Sequence, residues 1–74
     1  MKKMTFYAFR IYVFTKHLAE NVRHTREVAM GPIKPTDEMI QRSKKLAIEG
    51  FDKNYPGFKP EEKCVEIVVY SGKL

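Results

Sequence analysis

One segment near the N-terminus, residues 6–14 (FYAFRIYVF), constrains the fold of this chain more than any other. It carries five aromatic rings together with β-branched residues, and this composition favours an extended strand. Side chains of a strand alternate between its two faces. Alternation assigns one face to Tyr7, Phe9, Ile11 and Val13 and the other face to Phe6, Ala8, Arg10, Tyr12 and Phe14. Because both faces are largely apolar, a single covering layer leaves aromatic surface without a cover.

The chain is short, and its size limits how much of this surface it can bury. Its 74 residues correspond to one small domain. A domain of this size buries only about 60% of its unfolded surface and gains a few kcal/mol from its core. Cys64 is the single cysteine, so an intramolecular disulfide is excluded. Association with another chain is therefore the remaining means of extra stabilisation.

Three further elements follow from local signals. The first strand spans residues 5–15, and a break at residues 31–35 (GPIKP) precedes a predicted helix. Thr36 is a suitable N-cap residue for this helix, and two acidic residues in its first turn favour its formation. The loop at residues 54–60 ends the helix, and residues 63–70 (KCVEIVVY) form a last strand. The predicted buried stripe of the helix is Met39, Ile40, Ser43, Leu46, Ala47, Gly50 and Phe51.

The segment of residues 16–30 is ambiguous between helix and strand. Charge pairs four residues apart, Lys16 with Glu20 and Arg23 with Glu27, favour a helix. The need for a third strand favours a turn followed by a strand over residues 22–30, because two strands alone make a poor sheet. We therefore predict an α+β fold, a two-layer ββαβ domain with a three-stranded antiparallel sheet and one main helix. The alternative is βααβ, with residues 16–30 helical.

No residue pattern favours an enzyme, a cofactor site or a metal site. Cys64 lies within a β-branched strand, where a small buried side chain is the usual role. His17 and His24 have no further ligands at metal-binding spacing, and Glu61 and Glu62 form an acidic pair in a loop. The chain also lacks a glycine-rich phosphate loop. We expect a non-catalytic protein with no cofactor.

The formal net charge of +5 favours acidic partners, either nucleic acid or an acidic protein surface. Arg10 interrupts the longest apolar run, which is too short to span a membrane, and the N-terminal run lacks the cleavage site of a secretory signal. The lack of a predicted membrane span and of a secretory signal, together with a single cysteine, predicts a cytoplasmic protein without membrane contact. The helix surface supplies a candidate rim of positive charge, consisting of Arg42, Lys44, Lys45 and Lys53.

The second aromatic face admits three interpretations. It can bind a partner protein or form a homodimer, because an aromatic surface with one arginine has the composition of an interface hot spot. It can stack nucleic-acid bases while lysines, including Lys44, Lys45 and Lys53, contact phosphates. It can also form a second small core beneath the proline-rich loops. The predicted contact residues are Phe6, Arg10, Tyr12, Phe14 and Tyr70.

The order and size of these elements resemble small phage-encoded accessory proteins. The residues that carry the resemblance are a hairpin ending at residues 27–29 (EVA), the helix after Thr36, the loop at residues 55–58 (YPGF) and the last strand. The layout is similar to some anti-CRISPR proteins and to a phage antitoxin that caps a host RNase. The resemblance implies inhibition by binding, in which a compact protein covers the working surface of a host enzyme, and it assigns no functional residue.

Overall fold

A computed structural model describes residues 4–16 and 22–73 of the chain. The elements are β1 (Thr5–Thr15), β2 (Arg23–Gly31), α1 (Asp37–Asn54) and β3 (Lys63–Lys73), with a short 3-10 helix at Pro60–Glu62 before β3. The predicted ββαβ architecture is confirmed. The alternative with a helix over residues 16–30 is wrong, since β2 occupies most of that segment. None of the described helices is long and apolar enough to cross a membrane.

The three strands form one antiparallel sheet in the order β2-β1-β3. The aromatic strand β1 is therefore central, and its two neighbours hydrogen-bond to both of its edges. Tyr12 lies opposite Thr25 on β2 and opposite Glu66 on β3, which fixes the register of the sheet. β2 ends opposite Tyr7, so the first residues of β1 pair with β3 alone.

Helix α1 begins and ends where the local chemistry predicts. The Thr36 hydroxyl accepts a hydrogen bond from the Met39 amide at 3.2 Å, and acidic residues occupy the first turn. At the other end the Tyr55 amide donates to the Phe51 carbonyl at 2.8 Å. Pro56 follows, and proline disfavours helical geometry in the residue before it.

The core lies between α1 and one face of the sheet. Phe9, Ile11 and Val13 from β1 are fully buried against Ala47 and Phe51 from α1. This face of β1 is the one that alternation assigns to Tyr7, Phe9, Ile11 and Val13. The burial of Phe9 at 0% exposure shows that one helix is sufficient to cover the centre of one sheet face.

The set of helix residues that pack against the sheet differs from the predicted stripe. Met39 and Leu46 were expected to be buried, but they are 40% and 43% exposed. Leu46 lies one residue before Ala47 and is thus rotated by about 100° from the line of contact. Ile48, which the predicted stripe did not include, packs against the core instead.

The loop after the helix closes the same core. The rings of Tyr55 and Phe58 lie 5.2 Å and 5.8 Å from the ring of Phe51, measured between centroids. Both side chains thus pack on the helix side of the sheet. The alternative of a second core beneath the proline-rich loops is therefore wrong, because Tyr55 and Phe58 pack against the core on the helix side and Ile33 of the loop at residues 31–35 is exposed.

Candidate protein-binding face

The sheet surface opposite α1 is named the open face here. Each strand contributes alternate side chains to it, as the register shows. Its members are Phe6, Ala8, Arg10, Tyr12 and Phe14 from β1, Arg23, Thr25, Glu27 and Ala29 from β2, and Cys64, Glu66, Val68, Tyr70 and Gly72 from β3.

No element of the described chain shelters the open face, and large apolar side chains remain in contact with solvent. Phe6 is 40% exposed, Val68 is 39% exposed and Tyr70 is 40% exposed. Tyr12 and Phe14 are half-buried, and the guanidinium groups of Arg10 and Arg23 both lie over the Tyr12 ring. All five predicted contact residues thus lie on one continuous surface, although the structure leaves their role in binding a prediction.

Arg10 is the centre of a polar network that crosses all three strands. Its guanidinium lies 3.1 Å from the Glu27 carboxylate on β2 and donates to the Tyr12 hydroxyl at 3.0 Å. The Tyr70 hydroxyl on β3 donates to the same Glu27 oxygen. The guanidinium carbon also lies 5.9 Å and 5.8 Å from the ring centroids of Tyr12 and Tyr70, within the range of cation–π attraction.

These contacts shift the pKa values of the three groups in directions that favour a charged Arg10, a charged Glu27 and a neutral Tyr70. The hydrogen bond from Tyr70, followed by the contacts with Arg10, lowers the pKa of the Glu27 carboxyl. The same bond to Glu27 raises the pKa of the Tyr70 phenol. Hydrogen bonds to Tyr12 and Glu27 raise the pKa of Arg10 further above its ordinary value. At neutral pH the network therefore consists of a guanidinium, a carboxylate and a protonated phenol.

Depressions lie on either side of this network among the described residues of the open face. The first, about 230 Å³ in volume, is almost wholly apolar. It is lined by Phe6, Tyr7, Ala8, Ala29, Tyr70, Ser71 and Gly72. Small residues between two aromatic rings leave space for an apolar side chain supplied by another molecule.

The second depression combines rings and charges. It is lined by Tyr12, Phe14, Arg23, Glu66 and Val68 and has a volume of about 360 Å³. The guanidinium carbon of Arg23 lies 5.5 Å from the Tyr12 ring centroid. Arg23 on β2 and Glu66 on β3 thus place opposite charges on the two sides of an aromatic strip.

The predicted rim of positive charge is not beside these residues. Arg42, Lys44, Lys45 and Lys53 all belong to α1, and α1 packs against the opposite side of the sheet. Arg42 lies 3.4 Å from Glu38 one helical turn earlier, an exposed pair of the kind common on helix surfaces. One partner that covers the open face therefore cannot contact these four cations across the same flat interface.

The remaining sequence candidates occupy separate places. His24 points to the helix side, with Nδ1 3.4 Å from the Asn54 side-chain nitrogen, while His17 lies outside the described residues. Cys64 is half-buried near the beginning of β3, and the Glu62 carboxylate accepts a hydrogen bond from the Lys59 amide at 3.0 Å. Within residues 4–16 and 22–73, no group of three or more His, Cys, Asp or Glu side chains could hold a metal ion.

Of the charged members of the open face, only Arg10 was among the predicted contact residues, and Arg23, Glu27 and Glu66 were not. Glu27 entered the sequence analysis as a partner for Arg23 in the helical interpretation of residues 16–30 and as part of the hairpin end at residues 27–29. The signal that finds it is the hairpin register, since Arg10 lies directly opposite Glu27 once β2 pairs with β1. Opposite charges at such cross-strand positions are a stabilising pair.

Comparison with protein-family models, with curated proteins and with solved structures gives no match to this chain. The resemblance to phage accessory proteins therefore stays a prediction, and the open face is the basis on which a function can be argued.

Proposed function

We propose that this chain is a small non-catalytic binding protein whose open face covers a surface of another protein. The observation that carries the proposal is the one-sided sheet. A single helix covers one face of β1–β3, while aromatic and aliphatic side chains on the other face stay in water. Contiguous exposed apolar surface of this kind, mixed with polar groups, marks interaction sites in soluble proteins.

The composition of the open face suits a protein partner. Tyrosine and arginine are among the residues enriched at interface hot spots, and here Arg10 contacts both Tyr12 and Tyr70 in the free chain. Because the Arg10 side chain is already held by Glu27, its ordering adds little entropic cost to binding. The apolar depression beside Phe6 offers a place for a partner's anchoring side chain.

The partner class rests on the resemblance found in the sequence. Small phage accessory proteins imply a host enzyme as the partner, for example a defence or nucleic-acid-processing enzyme, which is inhibited when its surface is covered. A cytoplasmic site of action accords with that partner class. Under this proposal the protein blocks access to the enzyme and performs no chemistry itself.

Direct binding of nucleic acid is the competing function, and the positions of the charges argue against the combined site predicted for it. The rings lie on the open face, whereas Lys44, Lys45 and Lys53 lie on α1 at the other side of the sheet. A single strand that stacks on Tyr12 would therefore pass far from these lysines. The open face itself carries two arginines and two glutamates, which gives no excess positive charge for phosphates.

The test uses a matched pair of variants on opposite sides of the molecule. Val68 on the open face and Leu46 on α1 are 39% and 43% exposed, so Val68→Lys and Leu46→Lys add the same charge at similar exposure. A photo-crosslinking amino acid in place of Tyr12 first identifies the bound protein, and titration calorimetry with that purified protein then measures affinity. We expect Val68→Lys to weaken binding at least tenfold while Leu46→Lys changes it less than threefold.

Equal effects of the two substitutions would contradict the proposal. So would micromolar binding of a single-stranded oligonucleotide that weakens steeply with salt and is lost in Val68→Lys, because that result assigns the open face to nucleic acid.

A further inference from the structure

We propose that, when no other partner is present, a second copy of this chain occupies the open face, and that the two copies are related by a two-fold axis parallel to β1. The inference rests on the proposed function, because it assigns an occupant to the same surface. The two copies would form a four-layer arrangement of helix, sheet, sheet and helix. A heterologous partner and the second copy would then compete for one site.

Arg10 and Glu27 already pair within each chain, whereas Arg23 and Glu66 are the charges that can pair with a second copy. Arg10 and Arg23 are balanced by Glu27 and Glu66, so the face is neutral although the chain carries a net charge of +5. A neutral surface with separated positive and negative positions neither attracts a strongly acidic partner nor repels an identical surface. Helix α1 is neutral as well, because its four basic residues are balanced by Asp37, Glu38, Glu49 and Asp52, so the excess positive charge lies in the remaining segments of the chain.

A two-fold axis along the central strand brings the opposite charges together. Because the strand order is β2-β1-β3, such an axis places β2 of each copy over β3 of the other. Arg23 lies level with Phe14, and Glu66 lies level with Tyr12, two residues along the strand. That offset is about 7 Å, and packed sheets lie about 10 Å apart, a gap that the long Arg23 side chain spans. Each copy's Arg23 then pairs with the second copy's Glu66.

In one row of the sheet the same axis matches a large side chain with a small one. Ala29, Ala8 and Tyr70 form one row across the three strands. Because the axis places β3 of one copy over β2 of the other, each Tyr70 ring lies over the second copy's Ala29, which lines the apolar depression. Interdigitation of this kind is how the inner faces of aligned sheets pack.

Sedimentation velocity of the full chain over a concentration series tests this assignment. We expect wild-type protein to be a dimer at micromolar concentration, and Arg23→Glu and Glu66→Arg each to raise the dimer dissociation constant at least tenfold. The double variant Arg23→Glu/Glu66→Arg restores the pairing with reversed charges and should recover most of the affinity. Arg26→Glu is the matched control, because Arg26 lies on the same strand but on the other face.

A monomer at every concentration would overturn the inference. A dimer that Arg23→Glu and Arg26→Glu affect equally, or that the double variant fails to restore when circular dichroism shows it folded, would also overturn it. If the chain is monomeric while Val68→Lys still abolishes binding to the crosslinked partner protein, the second-copy assignment fails and the proposed function stands. If a charge-dependent dimer forms and Val68→Lys leaves partner binding unchanged, the proposed function fails instead.

Discussion

The imidazole of His24 lies directly against Gly50, in the place where any larger residue would put its side chain. A Cβ atom built on Gly50 would lie 2.5 Å from Nε2 of His24, closer than non-bonded atoms approach. His24 is on β2 and Gly50 is in α1, so this contact sets how closely the helix approaches that edge of the sheet. The nearby Asn54 side chain lies 3.4 Å from Nδ1 of the same ring.

Substitution of Gly50 should therefore show opposite effects in two backgrounds. Alanine in place of helical glycine ordinarily stabilises by about 1 kcal/mol, whereas overpacking costs about 1–3 kcal/mol. We expect Gly50→Ala to lower the free energy of unfolding by about 1 kcal/mol in the wild type. In a His24→Ala background the same change should raise it by about 1 kcal/mol. Urea unfolding of the four proteins in this double-mutant cycle measures the coupling. Equal effects of Gly50→Ala in both backgrounds would mean that the His24 ring moves aside freely.

The two faces of the sheet should differ sharply in what they contribute to stability. Phe51 is fully buried in the core, while Phe6 on the open face is 40% exposed. Loss of a buried phenylalanine costs about 3–5 kcal/mol, comparable with the whole stability of so small a domain. We expect Phe51→Ala to be largely unfolded at 25 °C and Phe6→Ala to remain folded, as judged by circular dichroism. A folded Phe51→Ala protein would show that the core lies elsewhere.

The ion pair between Lys63 and Asp52 connects β3 to α1 and should be sensitive to loss of either charge alone. The ammonium and carboxylate lie 2.8 Å apart, and the Lys63 side chain is only 11% exposed. Removal of the carboxylate leaves a poorly hydrated cation, so we expect Asp52→Asn to cost about 1–2 kcal/mol. Lys63→Met should cost less, because its apolar side chain keeps the packing. Thermal unfolding of both variants is the measurement, and a larger cost for Lys63→Met would contradict this account.

The hydrogen bond from Tyr70 to Glu27 predicts the pH range over which the network stays intact. The raised pKa of Tyr70 means that its contribution to stability is complete below the ordinary tyrosine value of about 10 and disappears as the pH rises through the raised value. The lowered pKa of Glu27 means that its contribution is complete above about pH 4.3 and is lost as the pH falls through the lowered value.

Carbon-13 NMR of tyrosine labelled at Cζ measures the first of these shifts, with Tyr70→Phe to assign the signal. We expect the Tyr70 midpoint above pH 10 in the wild type and closer to the ordinary value in Glu27→Gln. Asp52→Asn, which removes a carboxylate on the helix side, is the control and should leave the Tyr70 midpoint in place. An unchanged midpoint in Glu27→Gln would exclude the bond as its cause.

Much of the fold could be predicted because its signals are local. The alternation in β1 and the Thr36 cap each depend on residues close in sequence, and the predicted strand over residues 5–15 matches the structure. β2 was harder, since its charge spacing also fits a helix. Its strand conformation is decided by pairing with β1, a contact between distant residues.

The open face could be predicted only in part, because only some of its members lie close together in the sequence. Phe6, Arg10 and Tyr12 lie on one strand, so alternation alone places them together. Arg23, Glu27 and Glu66 join them through the register of two neighbouring strands, which the sequence does not reveal. The position of the basic helix residues depends on which sheet face α1 covers, and this too is a property of the packed chain.

Carbene footprinting before and after association tests the central claim most directly, because it shows which surface another protein chain covers. The account predicts that labelling of Tyr12, Phe14 and Val68 falls when the chain associates with a second copy or with a partner protein. Labelling of Met39 and Leu46 on the helix should stay unchanged. Protection of Met39 and Leu46, with Tyr12 and Val68 still labelled as in the free chain, would contradict it.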